Sequence, residues 1–478
     1  MPLRVLAVAS ECFPLVKTGG LADVAGALPA ALAPEDVAVT TLLPGYPAVL
    51  RAMEPAGPAQ RLPDLFGGPA RMVPARAAGL DLIVLDVPHL FDRPGGPYAA
   101  PGGAPWEDNA LRFAALGIAA AAAAIGFDAV HAHDWQAGLV PAYLRYAHGP
   151  HTPSVFTLHN LAFQGQFPAA LFSRLGLPGE AFRTDGLEYY GSVGFLKSGL
   201  WFAERVTTVS PTYAAEIRTP EHGMGLDGLL RGRAGTLSGI LNGLDTTEWD
   251  PATDRHLAGR FTAKDRKPRA LNRKALQARL GLAQDPDAPL FAFVGRLAWQ
   301  KGIDLVLEAL PWLLGAGGQL AILGSGEAEL EGRCLGAAAS LPGRVGAMVG
   351  FDEGLARLIY GGADAVLVPS RFEPCGLAQL CALRYGAPPI VARVGGLADT
   401  VVDANEMALA AGIGTGLQVA PGSVAMLGEA IARAAALIRA GAPWARVQAN
   451  AMATDVSWRR SAARYAALFR EIATPADA

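Results

Sequence analysis

Short runs that stay apolar at nearly every position, each followed by a longer stretch with helical spacing, recur from one end of this chain to the other. "LRVLAVAS", "DLIVLDVP", "AVHAHD", "SVFTLHN" and "RVTTVSP" lie in the first half, and "LFAFVGRL", "QLAILGSG", "AVLVPS" and "PPIVARVG" in the second. A strand wetted on one face alternates polar and apolar residues, whereas a strand covered on both faces need not. The pattern therefore predicts an α/β chain of doubly wound type, with parallel sheets between layers of helix. At 478 residues it exceeds what one hydrophobic core organises, so two or more domains are expected.

The rhythm breaks at "TTEWDPATDRHLAGRFTAKDRKPR", residues 246 to 269, which is polar, charged and without strand pattern. This sets an N-terminal domain at 1–245 and a C-terminal domain at 246–456. In the remaining segment, 457–478, Ala462, Tyr465, Ala466 and Phe469 fall at helical spacing, and this last helix is expected to pack back on the N-terminal domain. The Ala-rich run at residues 113 to 127 is too short to span a bilayer and reads as a buried helix. The N-terminus suits a first strand better than a signal peptide. Cys12, Cys334, Cys375 and Cys381 form no CxxC pair, so a cytoplasmic protein with reduced thiols is expected. With 40 basic and 43 acidic residues the charge is too even for a phosphate-backbone binder, and neither nucleic acid nor a membrane is an expected partner.

Ligands of open α/β sheets bind beyond the carboxyl ends of the strands. The polar residues there are Lys17 in "FPLVKTGG", His133 and Asp134 in "HAHDWQAG", His159 and Asn160 in "TLHNLAFQG", and Asn242 in "LNGLD". Further on come Arg296 and Lys301 in "VGRLAWQKG", Gly324 and Gly326 in "LGSGE", and Glu373 in "PSRFEPCGLAQ". The pentapeptide GGLAD occurs twice, at residues 19 to 23 and 395 to 399. Each copy is expected to open a helix, its glycines letting backbone N–H groups approach an anion, although either copy alone is explained as well by a tight turn. Lys17 and Lys301 sit at such helix starts, where the dipole disfavours a cation by roughly 0.3–1 kcal/mol unless an anion binds there or the charge reaches solvent. Arg296 and Lys301 together could grip a diphosphate. Glu329 stands where the third glycine of a dinucleotide fingerprint belongs, which argues against nicotinamide. His131 and His133 share one side of a strand, but no second cluster of ligands accompanies them, so no metal is expected.

Taken in order, "SECFPLVKTGGLADV", "HAHDWQAG", "FTLHNLAFQG", "HGMGLDGLL", "LNGLD", "GRLAWQKGIDLV", "PSRFEPCGLAQL" and "VGGLADTV" resemble the bacterial glycogen synthase and plant starch synthase family, glycosyltransferases that use ADP-glucose. The resemblance covers nearly the whole chain and implies the GT-B architecture, two Rossmann-like domains facing a deep cleft. It implies catalytic roles for Glu373 and His159 at the transferred glucose and for Arg296 and Lys301 at the diphosphate. Donor binding would fall to Lys17, Gly19, Gly20, Asn242, Gly324, Gly326, Gly376 and Leu377, and acceptor or sugar binding to Asp23, Tyr98, Asp134 and Asn160. Gly395 and Gly396 would shape the helix end opposite the first GGLAD. The implied partners are ADP-glucose and an α-1,4-glucan, with retention at the anomeric carbon and no cofactor or metal. Donor groups lie mostly in the second domain and acceptor groups in the first, so closure on ADP is expected. The Pro- and Gly-rich loop at residues 91 to 106 is expected to order with acceptor. Two alternatives stand beside this reading: a catalytically silent glucan-binding homologue, and a related retaining transferase using another nucleotide sugar such as UDP-glucose.

Overall fold

The computed structural model describes residues 1–474. The chain divides into two compact units, one formed by Met1–Asn242 together with the segment from Trp458 onward, the other by Gly243–Ser457.

In the first unit seven strands pair in parallel, in the spatial order Leu237–Gly239, Arg205–Thr208, Ser154–Leu158, Ala129–His133, Leu3–Val8, Val37–Pro44 and Leu80–Asp86. The central strands are buried at every position, as their continuous apolar runs require. Beyond Leu80–Asp86 the sheet turns antiparallel, with Gly68–Ala77 pairing it and Glu54–Pro55 and Gln60–Leu65 pairing Gly68–Ala77 in turn. This extension is absent from the sequence reading. Gly68–Ala77 faces solvent on one side, so it alternates buried and exposed residues and lacks a continuous apolar run. Helix Asn109–Ala123 is buried on almost every side by alanines and leucines. Among the described residues no helix is long and apolar enough to cross a membrane.

The second unit has six strands, all parallel, in the order Val345–Val349, Gln319–Gly324, Leu290–Val294, Ala365–Val368, Pro389–Ala392 and Leu417–Val419. The polar stretch at 246 to 269 belongs to this unit. Its charges converge on Arg357, which is 2% exposed, bonds Glu248 and Glu353, and lies 3.4 Å from Asp254. The Tyr385 hydroxyl donates to the same Asp254 at 2.5 Å, and Phe261 packs with Tyr360 and Tyr385. A charge network and one aromatic anchor thus hold a segment that has no strand.

The last helix, Arg459–Ala473, lies on the first unit. Trp458, Ala462, Tyr465 and Phe469 pack with Val5, Val24, Leu28 and Val155. The Ser461 hydroxyl donates to the Leu241 carbonyl at 2.5 Å.

Candidate active site

The parallel sheet of each unit has one point where the strand order reverses, and there loops from neighbouring strands diverge to leave room for a ligand. In the first unit this point lies between Leu3–Val8 and Ala129–His133. Three residues past the first of these strands is Glu11, only 2% exposed. Its carboxylate accepts from the Thr18 N–H, the Thr18 hydroxyl at 2.6 Å, the Gly19 N–H at 3.2 Å and the Tyr98 hydroxyl. Tyr98 also lies 2.8 Å from the Ser10 hydroxyl. Gly19 caps helix Gly20–Leu32, so the anion gathered by the first GGLAD turn is a side chain of the protein itself. Lys17 is likewise paired within the chain, with Asp23 of the same helix at 2.6 Å. Sequence reasoning missed Glu11. The available signal was a lone carboxylate just beyond a strand at the switch point, in "ASECFP".

Past the second strand of the pair, Asp134 has a backbone φ of 60°, a conformation a non-glycine residue adopts only under constraint. Its carboxylate accepts from the Trp135 N–H at 2.7 Å. Burial pushes its pKa up to about 7, and backbone donors from Trp135, Asn160 and His159 oppose that shift. His133 Nδ1 lies 3.1 Å from His159 Nε2, and the His131 and His133 rings are 3.9 Å apart. Further in, His131 Nε2 is 2.6 Å from the Thr157 hydroxyl. Burial lowers His131 and His159 to about 3 and holds His133 well below the usual imidazole value, so all three rings are neutral at pH 7. The Asn160 side chain accepts from the Ala162 N–H at 3.0 Å, shaping its own loop. The Asn242 side-chain oxygen is buried without a hydrogen-bond partner among the described residues. No group of three or more His, Cys, Asp or Glu side chains among the described residues is arranged to hold a metal.

In the second unit the order reverses between Leu290–Val294 and Ala365–Val368. Arg296 follows the first strand and Glu373 the second. Lys301 Nζ lies 2.5 Å from Glu373 Oε2, and the Ser370 hydroxyl donates to the same oxygen at 3.0 Å. Glu373 is 5% exposed, whereas Arg296 is exposed and its guanidinium bonds the Gln300 amide oxygen at 2.8 Å and no other group among the described residues. Lys301 therefore meets a protein carboxylate, and Arg296 is the guanidinium left open to an anion.

The glycines have packing reasons. A Cβ on Gly324 would overlap the Gly295 carbonyl, and one on Gly326 the Leu297 carbonyl, because the two loops run side by side. Gly376, at φ +80°, lies against Gln379, and Leu377 caps helix Ala378–Arg384. Gly395, at φ +41°, abuts the Glu373 backbone, and the Gly396 N–H bonds the carbonyls of Glu373 at 3.2 Å and Pro374 at 3.1 Å. The second GGLAD therefore braces the chain that carries Glu373, a role its sequence did not announce.

Residues 4–232 match the family model described as the starch synthase catalytic domain, and residues 277–437 match that of the glycosyl transferases group 1. A glycogen synthase of Rhodopseudomonas palustris is 59% identical over 476 residues, covering 98% of this chain and 99% of the relative. This chain belongs to the glycogen synthase and starch synthase family. The catalytic domain of starch synthase IV from Arabidopsis thaliana, bound to ADP and acarbose, is 31% identical, superposes with a TM-score of 0.89 and covers 99% of this chain and 100% of its own. Sucrose-phosphate synthase from Thermosynechococcus elongatus, 21% identical with a TM-score of 0.59 over 98% of this chain and 99% of its own, shares the fold. The fold is of the GT-B type and the protein is a glycosyltransferase.

The sequence-selected residues sort by unit. Lys17, Gly19, Gly20, Asp23, Tyr98, Asp134, His159, Asn160 and Asn242 fall in the first, and Arg296, Lys301, Gly324, Gly326, Glu373, Gly376 and Leu377 in the second. Lys17 with Asp23, His159 with His133, and Lys301 with Glu373 are brought into direct contact.

Proposed function

We propose that this protein is a glycogen synthase that transfers glucose, with retention, from ADP-glucose to the non-reducing 4-hydroxyl of an α-1,4-glucan. The observation that carries the reading is the Lys301–Glu373 pair at the second sheet's switch point with the open Arg296 beside it. The glycogen synthase relative and the starch synthase structure with ADP and acarbose support it.

Breaking the anomeric bond leaves charge on the departing ADP. Arg296 and Lys301 would act where that charge grows, which is where fixed electrostatics lower a barrier most, and the reading calls for no metal. Glu373 and the neutral His159 would position the glucosyl group. Retaining glycosidases use two carboxyl groups about 5–5.5 Å apart, one of them a nucleophile. In the second unit Glu373 is held by Lys301 and Ser370, with no second carboxylate hydrogen-bonded to it among the described residues. The reading therefore takes a front-face course: the bond from C1 to the phosphate oxygen breaks, the acceptor O4 bonds C1 on the same face, and its proton passes to the departing phosphate. A glucosyl ester trapped on Glu373 would overturn that course.

The test is incorporation of labelled glucose into glycogen from ADP-glucose and, separately, UDP-glucose. Lys301→Ala is expected to lose about 10²–10³ in turnover, by analogy with an oxyanion donor. Glu373→Gln is expected to lower turnover as well, because it removes the carboxylate that faces the glucosyl group. Incorporation from UDP-glucose alone would change the donor. Glycogen binding without incorporation from either would favour the silent binder.

A further inference from the structure

The first unit carries a cavity of about 520 Å³ that none of these roles uses, a size usual for small-molecule sites. Tyr46, Arg51, Phe91, Asp92, Arg112 and the Gly95–Gly96 backbone are in its lining. Tyr46 follows strand Val37–Pro44 and Phe91 follows strand Leu80–Asp86, so the cavity lies at the carboxyl ends of Val37–Pro44, which pairs with the Leu3–Val8 strand that leads to Glu11, and of Leu80–Asp86, one strand further out.

Its wall is built. Arg93 grips Asp108 with two hydrogen bonds of 3.0 and 2.9 Å. Arg112 donates to the Leu90 carbonyl at 2.9 Å and to the Pro97 carbonyl at 2.7 Å, and the Trp106 indole donates to Gly96 at 3.1 Å. The loop at 91 to 106, expected to order only with acceptor, is thus tied down within the chain. The same loop delivers Tyr98 to Glu11 and Ser10. Against this fixed wall three groups stand ready. The Tyr46 hydroxyl is buried without a hydrogen-bond partner, and exposed Arg51 and Asp92 have no ion-pair partner among the described residues.

We propose that this cavity is an α-glucan subsite, seating glucosyl residues of the acceptor behind its reacting end. The proposal rests on the transferase reading and adds where the acceptor chain runs. A sugar hydroxyl both donates and accepts, so one ring satisfies a guanidinium and a carboxylate together. Of the three arginines in the lining, Arg93 is engaged by Asp108 and Arg112 by the Leu90 and Pro97 carbonyls, so a phosphate would be drawn chiefly to Arg51 and repelled by Asp92. Tyr46 and Phe91 are buried and packed edge-on with ring centres 5.7 Å apart, so they fix the floor of the cavity while Arg51 and Asp92 at its rim offer the polar contacts.

The test compares wild type with an Arg51→Ala/Asp92→Ala double variant, two exposed positions whose loss spares the loop's ties. Maltoheptaose binding is measured by calorimetry, and kcat/KM with ADP-glucose is measured for acceptors from maltose to maltoheptaose. The variant is expected to bind maltoheptaose about tenfold more weakly, a free-energy loss of one decade. Its kcat/KM should fall far more for maltoheptaose than for maltose. Equal affinity and a parallel ladder would overturn the subsite. Inorganic phosphate binding that the variant loses, with maltoheptaose unaffected, would overturn it in favour of an anion site. If wild type transfers no glucose at all, weakened maltoheptaose binding in the variant would uphold the subsite and sink the transferase reading instead.

Discussion

Glu11 is a buried carboxylate that holds a loop by accepting four hydrogen bonds, from Thr18 twice, Gly19 and Tyr98. An amide in its place would set an NH2 group against N–H and O–H donors, and a buried donor left unsatisfied costs about 1–3 kcal/mol. Glu11→Gln is therefore expected to lower stability by about that amount, read from urea unfolding. It should also lower glucosyl transfer, because the same carboxylate orients Tyr98 and the Lys17 turn. Unchanged stability would mean the loop does not depend on this acceptor. Legibility at this scale follows contact. Lys17, Lys301 and Glu373 were visible because a charged residue just past an apolar run is conspicuous. Their partners were not, since pairing across 72 positions, as between Lys301 and Glu373, is set by where two strands end in space.

At the scale of elements, the short helix Gly395–Thr400 begins against the backbone that follows strand Ala365–Val368 and carries Glu373. A methyl group at Gly395 would overlap the Glu373 carbonyl and also meet a φ of +41°, which L side chains rarely adopt. Gly395→Ala is expected to displace Glu373, lowering kcat by at least about tenfold and stability by about 1–3 kcal/mol. Matched kinetics and thermal melts check both, and wild-type kcat in a folded variant would show that Glu373 does not depend on this brace. The repeated pentapeptide thus serves two different ends. At its first copy the turn closes on a carboxylate, and at its second it closes on a backbone. Composition alone could not distinguish them, because glycine reports only that something approaches closely.

For the whole molecule, the buried histidines set a pH dependence. His131 and His159 have folded-state values of about 3, below the ordinary 6.5, so the unfolded chain binds protons that the folded one does not between those values. Stability is therefore full above pH 6.5 and is lost as pH falls toward 3, by about 2 kcal/mol per histidine at pH 5. Asp134, raised to about 7, acts oppositely: the folded state keeps a proton the unfolded state releases, so its contribution declines as pH rises from about 4 to 7. With three depressed histidines against one raised carboxyl, the urea midpoint is expected to fall between pH 7 and pH 5, and His131→Asn is expected to lessen that fall. A midpoint constant over this range would mean the rings are charged in the folded protein.

The sequence by itself determined the α/β class, the presence of a parallel sheet in each half of the chain, the burial of the Ala-rich helix and the strand ends that carry Lys17, Asp134, His159, Arg296, Lys301 and Glu373. It could do so because strand burial and helix spacing are written locally, in runs of a few residues. The antiparallel extension escaped, since a half-wetted strand such as Gly68–Ala77 lacks the continuous apolar run that marked the others. Only the tertiary structure decided that Glu11 fills the first glycine turn, that Gly395 braces Glu373, and that a tied loop walls a cavity beside Tyr98. Each of these joins residues far apart in the chain through hydrogen-bond geometry or excluded volume, and neither leaves a periodic trace along the sequence.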